Sequence, residues 1–298
     1  MSVLATPAPD PAASALEAAP AHRVDRRRAG SSWWAACGAL AAREWVRFFR
    51  QKHRVVAALL TPVLLWLLLG LGLRDAFGPA ATGGGAEGSG GLGGGALRFY
   101  FPGAVVLMVL FTSIFTCISV IEDRREGFLQ GVLASRAPRS AIAAGKVLGG
   151  SAIALVQGLF LLVPGLLVVS VPSAAGFASA LLALTLLTVM LTALGLWFAW
   201  PMESTAGYHG VMNLVLMPMW LLSGGLFPAA TAAPVLQWAM RLNPLAHGHE
   251  LFAAGLAGVP RVLAPAWVSW SVLVGSTVAL LVVATLRVKR PVAGGAPA

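Results

Sequence analysis

The chain has 298 residues, of which 58% are hydrophobic and 11% are charged, and its mean hydropathy is +0.81. Soluble domains carry charges on about a quarter of their residues, so this composition excludes an ordinary soluble protein and indicates a polytopic membrane domain. The net charge of +10 does not indicate nucleic-acid binding, because the basic residues flank apolar runs instead of forming one accessible face.

The N-terminal segment, residues 1–37, is rich in alanine and proline and is predicted to be a disordered cytoplasmic tail. Arg26, Arg27 and Arg28 superficially resemble the start of a signal peptide. However, Arg43 and Glu44 interrupt the apolar run that a signal peptide requires. We therefore expect this segment to remain on the cytoplasmic side.

Residues 38–54 have the pattern of an amphipathic helix. At 100° per residue, four arginines share one face and three aromatic residues project from the opposite face: Arg43, Arg47, Arg50 and Arg54 against Trp45, Phe48 and Phe49. Such a helix is predicted to lie in the membrane interface, with its arginines toward anionic headgroups. The alternative is that these residues are only the basic flank of the first span.

Six apolar runs are long enough to cross a membrane as helices, since each is close to the roughly 20 residues that a bilayer requires. The predicted spans are residues 55–73, 99–121, 147–171, 175–200, 207–226 and 264–286. Seventeen of the 21 lysines and arginines fall on one side of this pattern; the exceptions are Arg74, Arg98, Arg241 and Arg261. The positive-inside rule makes that side cytoplasmic and places both termini there.

The connections outside the spans differ in character. Residues 74–98 are glycine-rich and are predicted to form a flexible external linker. Residues 234–240 and 245–256 are too apolar for a solvated loop and too short to cross the bilayer, so two short re-entrant or interfacial helices are predicted there.

The predicted spans contain no Asp, Glu, Lys or Arg, and their strongest polar groups are Gln157, His209 and Asn213. Proton-driven carriers normally retain intramembrane ionisable residues, so this pattern disfavours such a carrier. Four residues are candidates for lining a pathway for an amphiphilic cargo: Gln157, Asn213, Met217 and Trp220. Methionine and tryptophan also commonly serve packing alone.

No set of residues has the spacing of a metal or disulfide site. Cys37 and Cys117 lie in unrelated contexts, and the compact group His247, His249 and Glu250 does not follow the HExxH pattern. Capping or interface roles are therefore favoured for the histidine-rich group. A surface enzyme site built on these three residues stays open as the alternative.

The chain also lacks the loop that ATP-hydrolysing proteins use to hold phosphate. Gly145 and Lys146 come closest, but Val147 follows them and Ser140 stands where a glycine is required. If the protein moves a cargo against a gradient, another subunit must supply the energy.

The segment between the second and third predicted spans is the strongest candidate contact for such a subunit. Apolar residues recur at helical spacing at Phe128, Leu129, Val132 and Leu133, after the charged run 122–126. This predicts a short helix with one exposed apolar face that fits a groove on a soluble partner. The alternative is a helix folded back on its own bundle. Gly145 and Gly149 follow with the GxxxG spacing that lets helices approach closely.

In sequence, these features together resemble the permease subunits of type-2 ATP-binding-cassette (ABC) exporters. The resemblance runs through Ile121 to Leu133, Gly145 to Gly149, Pro218 to Gly224, and Leu242 to Leu245, and it covers roughly residues 40–290. It implies an all-α membrane protein with six spans within residues 55–290, followed by a cytoplasmic tail at 291–298.

The resemblance also implies roles for particular residues. The following residues match the family's coupling segment, which docks on the ATPase: Glu122, Arg124, Arg125, Glu126, Gly127, Phe128, Leu129, Val132 and Leu133. The helix before the first span matches its gating element. Asn243, Pro244 and Glu250 match its external re-entrant segment, where Pro244 fits a helix start and Asn243 fits its cap.

The implied function is outward transport of a lipophilic or amphiphilic substrate across a bacterial inner membrane. The expected partners are membrane lipid, a separate ABC ATPase, and a second permease, either identical or different. No cofactor is expected on this chain itself, since the ATPase would use ATP and Mg. The alternative from another class is an integral-membrane enzyme or a non-transporting scaffold.

Overall fold

The computed structural model describes residues 33–73, 95–135 and 137–289. Within these ranges the regular structure is helical. The α-helices are α1 (Trp33–Arg50), α2 (Lys52–Gly72), α3 (Gly95–Arg125), α4 (Phe128–Ala134), α5 (Arg139–Gly165), α6 (Ala174–Ala199), α7 (Thr205–Leu221), α8 (Pro234–Leu242), α9 (Pro244–Ala257) and α10 (Ala266–Lys289), with a 3-10 turn at Ala229–Thr231.

Five of these helices are long and apolar enough to cross a membrane: α2, α3, α5, α6 and α10. They correspond to five of the six predicted spans and confirm an all-helical, multi-pass architecture. The remaining predicted span is α7, which has 17 residues and would reach only about 25 Å against the ~30 Å of the hydrocarbon layer. The count of six spans is therefore not confirmed.

Helix α3 forms the centre of the bundle. Its apolar stretch is buried along almost its whole length, and α2, α5, α6 and α7 all pack against it. The outward sides of α2 and α10 are exposed apolar surfaces, as expected for helices that face lipid. The central position of α3 agrees with its sequence, because a helix that is apolar on every side is expected in the core of a bundle.

Two glycines bring α1 close to α5. A Cβ atom at Gly145 would lie 2.9 Å from the backbone oxygen of Cys37, and one at Gly149 would lie 3.0 Å from the Cα of Ala41. Since neither position has room for a side chain, the close helix approach predicted from the GxxxG spacing is confirmed. Its partner is α1.

The boundaries of α1 differ from the prediction. The helix begins at Trp33 and ends at Arg50, and the N-cap residue Gln51 separates it from α2. Residues 33–37, predicted as part of a disordered tail, are therefore helical, and residues 52–54 belong to α2. Residues 1–32 and the predicted tail at 291–298 lie outside the described chain, as does most of the predicted linker, although α3 already begins at Gly95.

The two short helices predicted between the last two spans are present as α8 and α9. Gly248 of α9 packs on Leu187 of α6, and Gly255 packs on the backbone of Gly176. Helix α9 therefore runs antiparallel to α6, alongside its first half. Asn243 lies at the corner between α8 and α9 and caps α9.

Candidate functional site

Seven charged side chains meet where α1, the end of α3 and the first half of α5 come together. They are Arg43, Glu44 and Arg47 of α1, Glu122, Asp123 and Glu126 at the end of α3, and Lys146 of α5. We call this set the ion cluster. Its members come from three separate parts of the sequence, so it ties three helices together.

Asp123 is the centre of the ion cluster, and its side chain is completely buried. The guanidinium of Arg43 donates two hydrogen bonds to its carboxylate, at 2.9 and 2.7 Å, and Arg47 and Lys146 donate further ones. A buried carboxylate is tolerated only when charged or polar partners replace its lost hydration. Asp123 has three such partners.

Lys146 connects α5 to both other helices. Its ammonium group is buried and donates to Glu44, to Asp123 and, at 3.2 Å, to the hydroxyl of Ser119. An ammonium group has three protons to donate, so these three bonds use its full capacity. The glycine contacts between α1 and α5 bring Glu44 close enough for this pairing.

The outer part of the cluster is more exposed. Arg47 donates to Glu122 at 2.9 Å and to Glu126 at 3.2 Å, and the Glu126 side chain is 60% exposed. Arg43 also lies over the ring of Phe128, with its guanidinium carbon 3.6 Å from the ring centroid. Burial alone would lower the pKa of Arg43, but its hydrogen bond to Asp123 raises the pKa above its ordinary value.

The two arginines that follow Asp123 point to another part of the bundle. Arg124 donates to the carbonyl oxygens of Trp200 and Met202, and Arg125 donates to that of Glu203 at 2.9 Å. These carbonyls follow the end of α6, where a cation is favoured by the helix dipole. Ser204, the next residue, caps α7. The end of α3 is thus bonded to α1 and α5 through its acidic residues and to the α6–α7 connection through its basic residues.

The short predicted helix exists as α4, but its exposure differs from the prediction. Leu129 is buried, and Phe128, Val132 and Leu133 are half-buried against the core. The expected exposed apolar face is therefore wrong, and the alternative of a helix folded back on its bundle is correct. Gly127 makes the turn possible, with a φ of 75° that favours glycine. The residues that α4 and its C-cap Ser135 present to solvent are Gln130, Gly131, Ala134 and Ser135 itself.

The orientation of α1 also corrects the prediction. Arg43 and Arg47 were expected to face headgroups, but they turn inward because the carboxylates of α3 offer them direct partners. Phe48 is buried and Trp45 is half-buried, whereas Phe49 and Arg50 are exposed. Arg43 and Arg47 on the polar side of α1 therefore pair with other helices of the same bundle. Apolar residues such as Val46 face outward.

The four predicted pathway residues do not share one surface. Gln157 is buried between helices, where its carbonyl oxygen accepts from Thr112, and Trp220 is buried with its ring nitrogen donating to the oxygen of Gly103 at 3.3 Å. Asn213 and Met217 are exposed on the outer side of α7. The four residues therefore share no common surface in this structure, since Gln157 and Trp220 fill the core of a single chain, and their role in lining a pathway stays a prediction.

The predicted re-entrant residues have structural partners. Asn243 accepts from the backbone of Leu245 and donates to the oxygen of Met219 at 2.7 Å, and Pro244 begins α9. These contacts confirm the predicted cap and helix start. Glu250 accepts from the backbone N–H groups of Val262 and Leu263.

The neighbouring histidines are both buried within the bundle. The two ring nitrogens of His247 contact the Ser269 hydroxyl at 3.0 Å and the Arg241 oxygen at 2.9 Å. His249 is buried against Gly224 and Gly225. Among the described residues, no group of three or more His, Cys, Asp or Glu side chains is placed to hold a metal ion.

Sequence reasoning missed three members of the ion cluster as site residues: Glu44, Asp123 and Lys146. The available signal was Lys146 itself, a charge within the otherwise apolar and glycine-rich stretch 141–150, which requires a buried partner. Nothing in the spacing identified Glu44 as one of its partners, since the two residues are 102 positions apart.

The cavity beside the ion cluster is too small for a cargo. It lies between α1 and α3, is lined by residues that include Phe48, Gln51 and Phe115, and has a volume of about 10 Å³. That volume is close to the minimum for one water molecule. The cluster is therefore suited to joining helices and does not form a binding pocket.

The family model described as "ABC-2 type transporter" matches residues 35–257, which include the whole ion cluster and the Asn243 corner. No curated protein matches the sequence. Members of this family are generally non-enzymatic membrane subunits that typically pair with an ABC ATPase. Because the match covers well over half of the chain, and five helices are able to span a bilayer, this protein belongs to the ABC-2 type transporter family and is a multi-pass membrane permease.

Proposed function

We propose that this chain is the membrane subunit of an ABC exporter and that a separate ATPase subunit drives it by pressing on residues 122–133. The supporting observation is that this segment is bonded to two separate parts of the bundle. Its acidic residues pair with α1 and α5, and Arg124 and Arg125 hold the α6–α7 connection. A force applied there reaches helices on both sides of α3.

The contact with the ATPase is assigned to the solvent-facing side of α4. Its residues are small or polar, and a Cβ atom added at Gly131 would meet nothing within 4 Å. The buried apolar side of α4 contributes by joining this surface rigidly to the bundle, with Leu129 in the core. In this proposal Leu129 and Leu133 transmit the force, while Gln130 and Gly131 receive it.

The energy for transport comes from ATP hydrolysis in the separate ATPase, whose open and closed states bind nucleotide with different affinities. When two ATPase subunits close on ATP and Mg, α4 and the ion cluster move as one body. The bundle then shifts toward a conformation that opens a path for the cargo. This chain contributes the positions of its helices and takes no part in the chemistry of hydrolysis.

The remaining features of the proposal come from the sequence pattern and the family. The cargo is lipophilic or amphiphilic and moves outward. The permease works as a pair, in a bacterial inner membrane, with both termini and the ion cluster on the cytoplasmic side. Helix α7 completes six spans, and α8 and α9 form a re-entrant hairpin whose corner is Asn243, since α9 lies alongside the first half of α6.

Replacing Gly131 by Trp tests the docking surface. We expect Gly131→Trp to abolish capture of the ATPase by the tagged permease, because a large side chain would fill an open contact surface. The matched control is Gly275→Trp in α10, where a Cβ also meets nothing within 4 Å. Equal capture of the ATPase by both variants would refute the docking surface. Chemical conversion of a lipid by the isolated chain would favour the enzyme alternative.

A further inference from the structure

Three basic residues lie together where α5 begins and α10 ends. Arg139, the first residue of α5, donates to the backbone oxygen of Lys289 at 2.8 Å, although 150 positions separate the two residues. Arg287 lies over the ring of Trp197 of α6, with its guanidinium carbon 4.9 Å from the ring centroid. Arg139 and Lys289 are both exposed. We call Arg139, Arg287 and Lys289 the basic corner.

No carboxylate neutralises the basic corner within the part of the chain that the structure describes. Four of the acidic residues described at this end of the bundle belong to the ion cluster, where they pair with other cations. The backbone of a fifth, Glu203, binds Arg125. The Lys289 ammonium donates to no described residue, and Arg139 uses one of its five donors. The corner therefore has both charge and hydrogen-bond donors available for an external anion.

An apolar stripe on α10 leads from the bilayer to the basic corner. Val274, Val278, Val282 and Leu286 recur at every fourth residue, and each is between 43% and 53% exposed. Lys289 follows three residues later, on the same side of the helix. Residues 274–286 rise about 18 Å, which is close to the ~15 Å of hydrocarbon in one leaflet. An acyl chain lying along this stripe would place its headgroup beside Lys289.

We propose that the basic corner and the apolar stripe of α10 together bind one anionic phospholipid of the adjoining leaflet. The lipid phosphate lies between Arg139 and Lys289, where hydrogen bonds between charged groups are stronger than neutral ones. Its acyl chains cover the stripe. Trp197 lies at the level of the headgroup, which is where tryptophan is enriched in membrane proteins.

The stripe and the net charge of the corner define the class of ligand. A soluble phosphate would form the same hydrogen bonds but would bury none of the apolar surface of α10. A zwitterionic phospholipid would bring its own cation toward three positive charges, which is unfavourable. An anionic phospholipid satisfies both the corner and the stripe. The inference requires only that the chain spans a membrane, so it does not rest on the export proposal.

Lipid titration of the full chain in detergent, followed by native mass spectrometry, tests the site. The probe is dioleoyl phosphatidylglycerol, and dioleoyl phosphatidylcholine is the zwitterionic comparison. We expect Lys289→Gln to bind the first phosphatidylglycerol about 5-fold more weakly, the ratio that corresponds to ~1 kcal/mol for one basic residue near anionic lipid. This variant keeps the backbone oxygen that Arg139 binds, so the contact between α5 and α10 is retained. Lys289→Arg should restore the affinity.

The matched control is Arg50→Gln. Arg50 is also exposed, but it lies at the other end of α1, about 25 Å from Trp33. Trp33 donates to Ser140, the neighbour of Arg139. Arg50→Gln should therefore bind phosphatidylglycerol as the wild type does. Equal weakening by Arg50→Gln and Lys289→Gln would show a diffuse attraction to surface charge and would overturn the proposed site, as would equal affinity of the wild type for the two lipids.

A charge reversal separates the lipid from other anionic ligands. Lys289→Glu supplies a carboxylate beside Arg139, so it should abolish the preference for phosphatidylglycerol over phosphatidylcholine. Inorganic phosphate should not displace phosphatidylglycerol from the wild type; displacement would identify a soluble anion as the ligand. Loss of ATPase capture by Lys289→Glu with an unchanged lipid preference would assign the corner to a protein contact. Failure of the lipid titration leaves the export proposal intact, because the titration contains no ATPase.

Discussion

The two ends of α3 are held in place by different kinds of contact. At the end near Asp123, buried ion pairs join α1, α3 and α5. At the end near Gly103, backbone meets backbone: a Cβ atom at Gly103 would lie 2.7 Å from the oxygen of Gly225, and the Trp220 ring nitrogen donates to the Gly103 oxygen. Charge secures one end, and close packing with caps secures the other.

This difference indicates that the two ends of α3 have different roles in a conformational change. Several charged hydrogen bonds that converge on one carboxylate resist separation of the three helices, so we expect the ion-cluster end to move as a unit. Glycine contacts and single caps such as Asn243 restrain their helices less strongly. We therefore expect conformational change to be concentrated at the Gly103 end, while the ion-cluster end transmits force.

The largest effect is expected from removing the charge of Asp123. In Asp123→Asn the cations Arg43, Arg47 and Lys146 lose their common buried partner, which should lower the free energy of unfolding by about 3–5 kcal/mol. Thermal or denaturant unfolding in detergent measures this loss.

The matched control is Glu126→Gln. This carboxylate also pairs with Arg47, but it is 60% exposed, so its loss should cost at most about 1 kcal/mol. Equal stability of Asp123→Asn and Glu126→Gln would show that the buried cluster does not hold the helices together.

A smaller effect is expected at the opposite end from Gly103→Ala. The added methyl group would meet backbone atoms of Gly225, which cannot turn aside as a flexible side chain does, so overpacking should cost about 1–3 kcal/mol. Gly275→Ala, at an open helical position, should be neutral or slightly stabilising. Unfolding curves for the two variants give the comparison. Indistinguishable curves would show that the close contact of Gly103 with Gly225 does not contribute to stability.

The smallest effect is expected from Asn243→Ala. The variant loses the cap of α9 and the two bonds to the C-terminal end of α7, which should cost about 0.5–2 kcal/mol. Limited proteolysis should cut the 222–245 region faster than in the wild type. Val235→Ala, a 79% exposed position on α8, is the control, and equal cleavage of both variants would mean that the cap does not order this corner.

The sequence predicted the helices well because hydrophobic periodicity and length are local properties. Asn243 and Pro244 were also assigned correctly, since capping chemistry depends on neighbouring residues. The ion cluster was missed because its partners are distant in the chain: Arg43 and Asp123 are 80 positions apart.

The same limitation explains two errors of orientation. Periodicity identified an apolar side on α4 but could not show whether the bundle or a partner covers it, and Leu129 proved to be in the core. The arginines of α1 were assigned to headgroups because nothing local revealed carboxylates on α3. Side-chain direction relative to distant helices requires the tertiary structure.

Transport by reconstituted vesicles tests the central claim most directly, namely that this permease obtains all its work from a separate ATPase through the ion-cluster end. Vesicles containing the chain and its copurifying ATPase should move lipophilic fluorescent compounds only when ATP and Mg are present. Vesicles with the chain alone should move none of them against a gradient. Uphill transport by the chain without the ATPase would contradict the account.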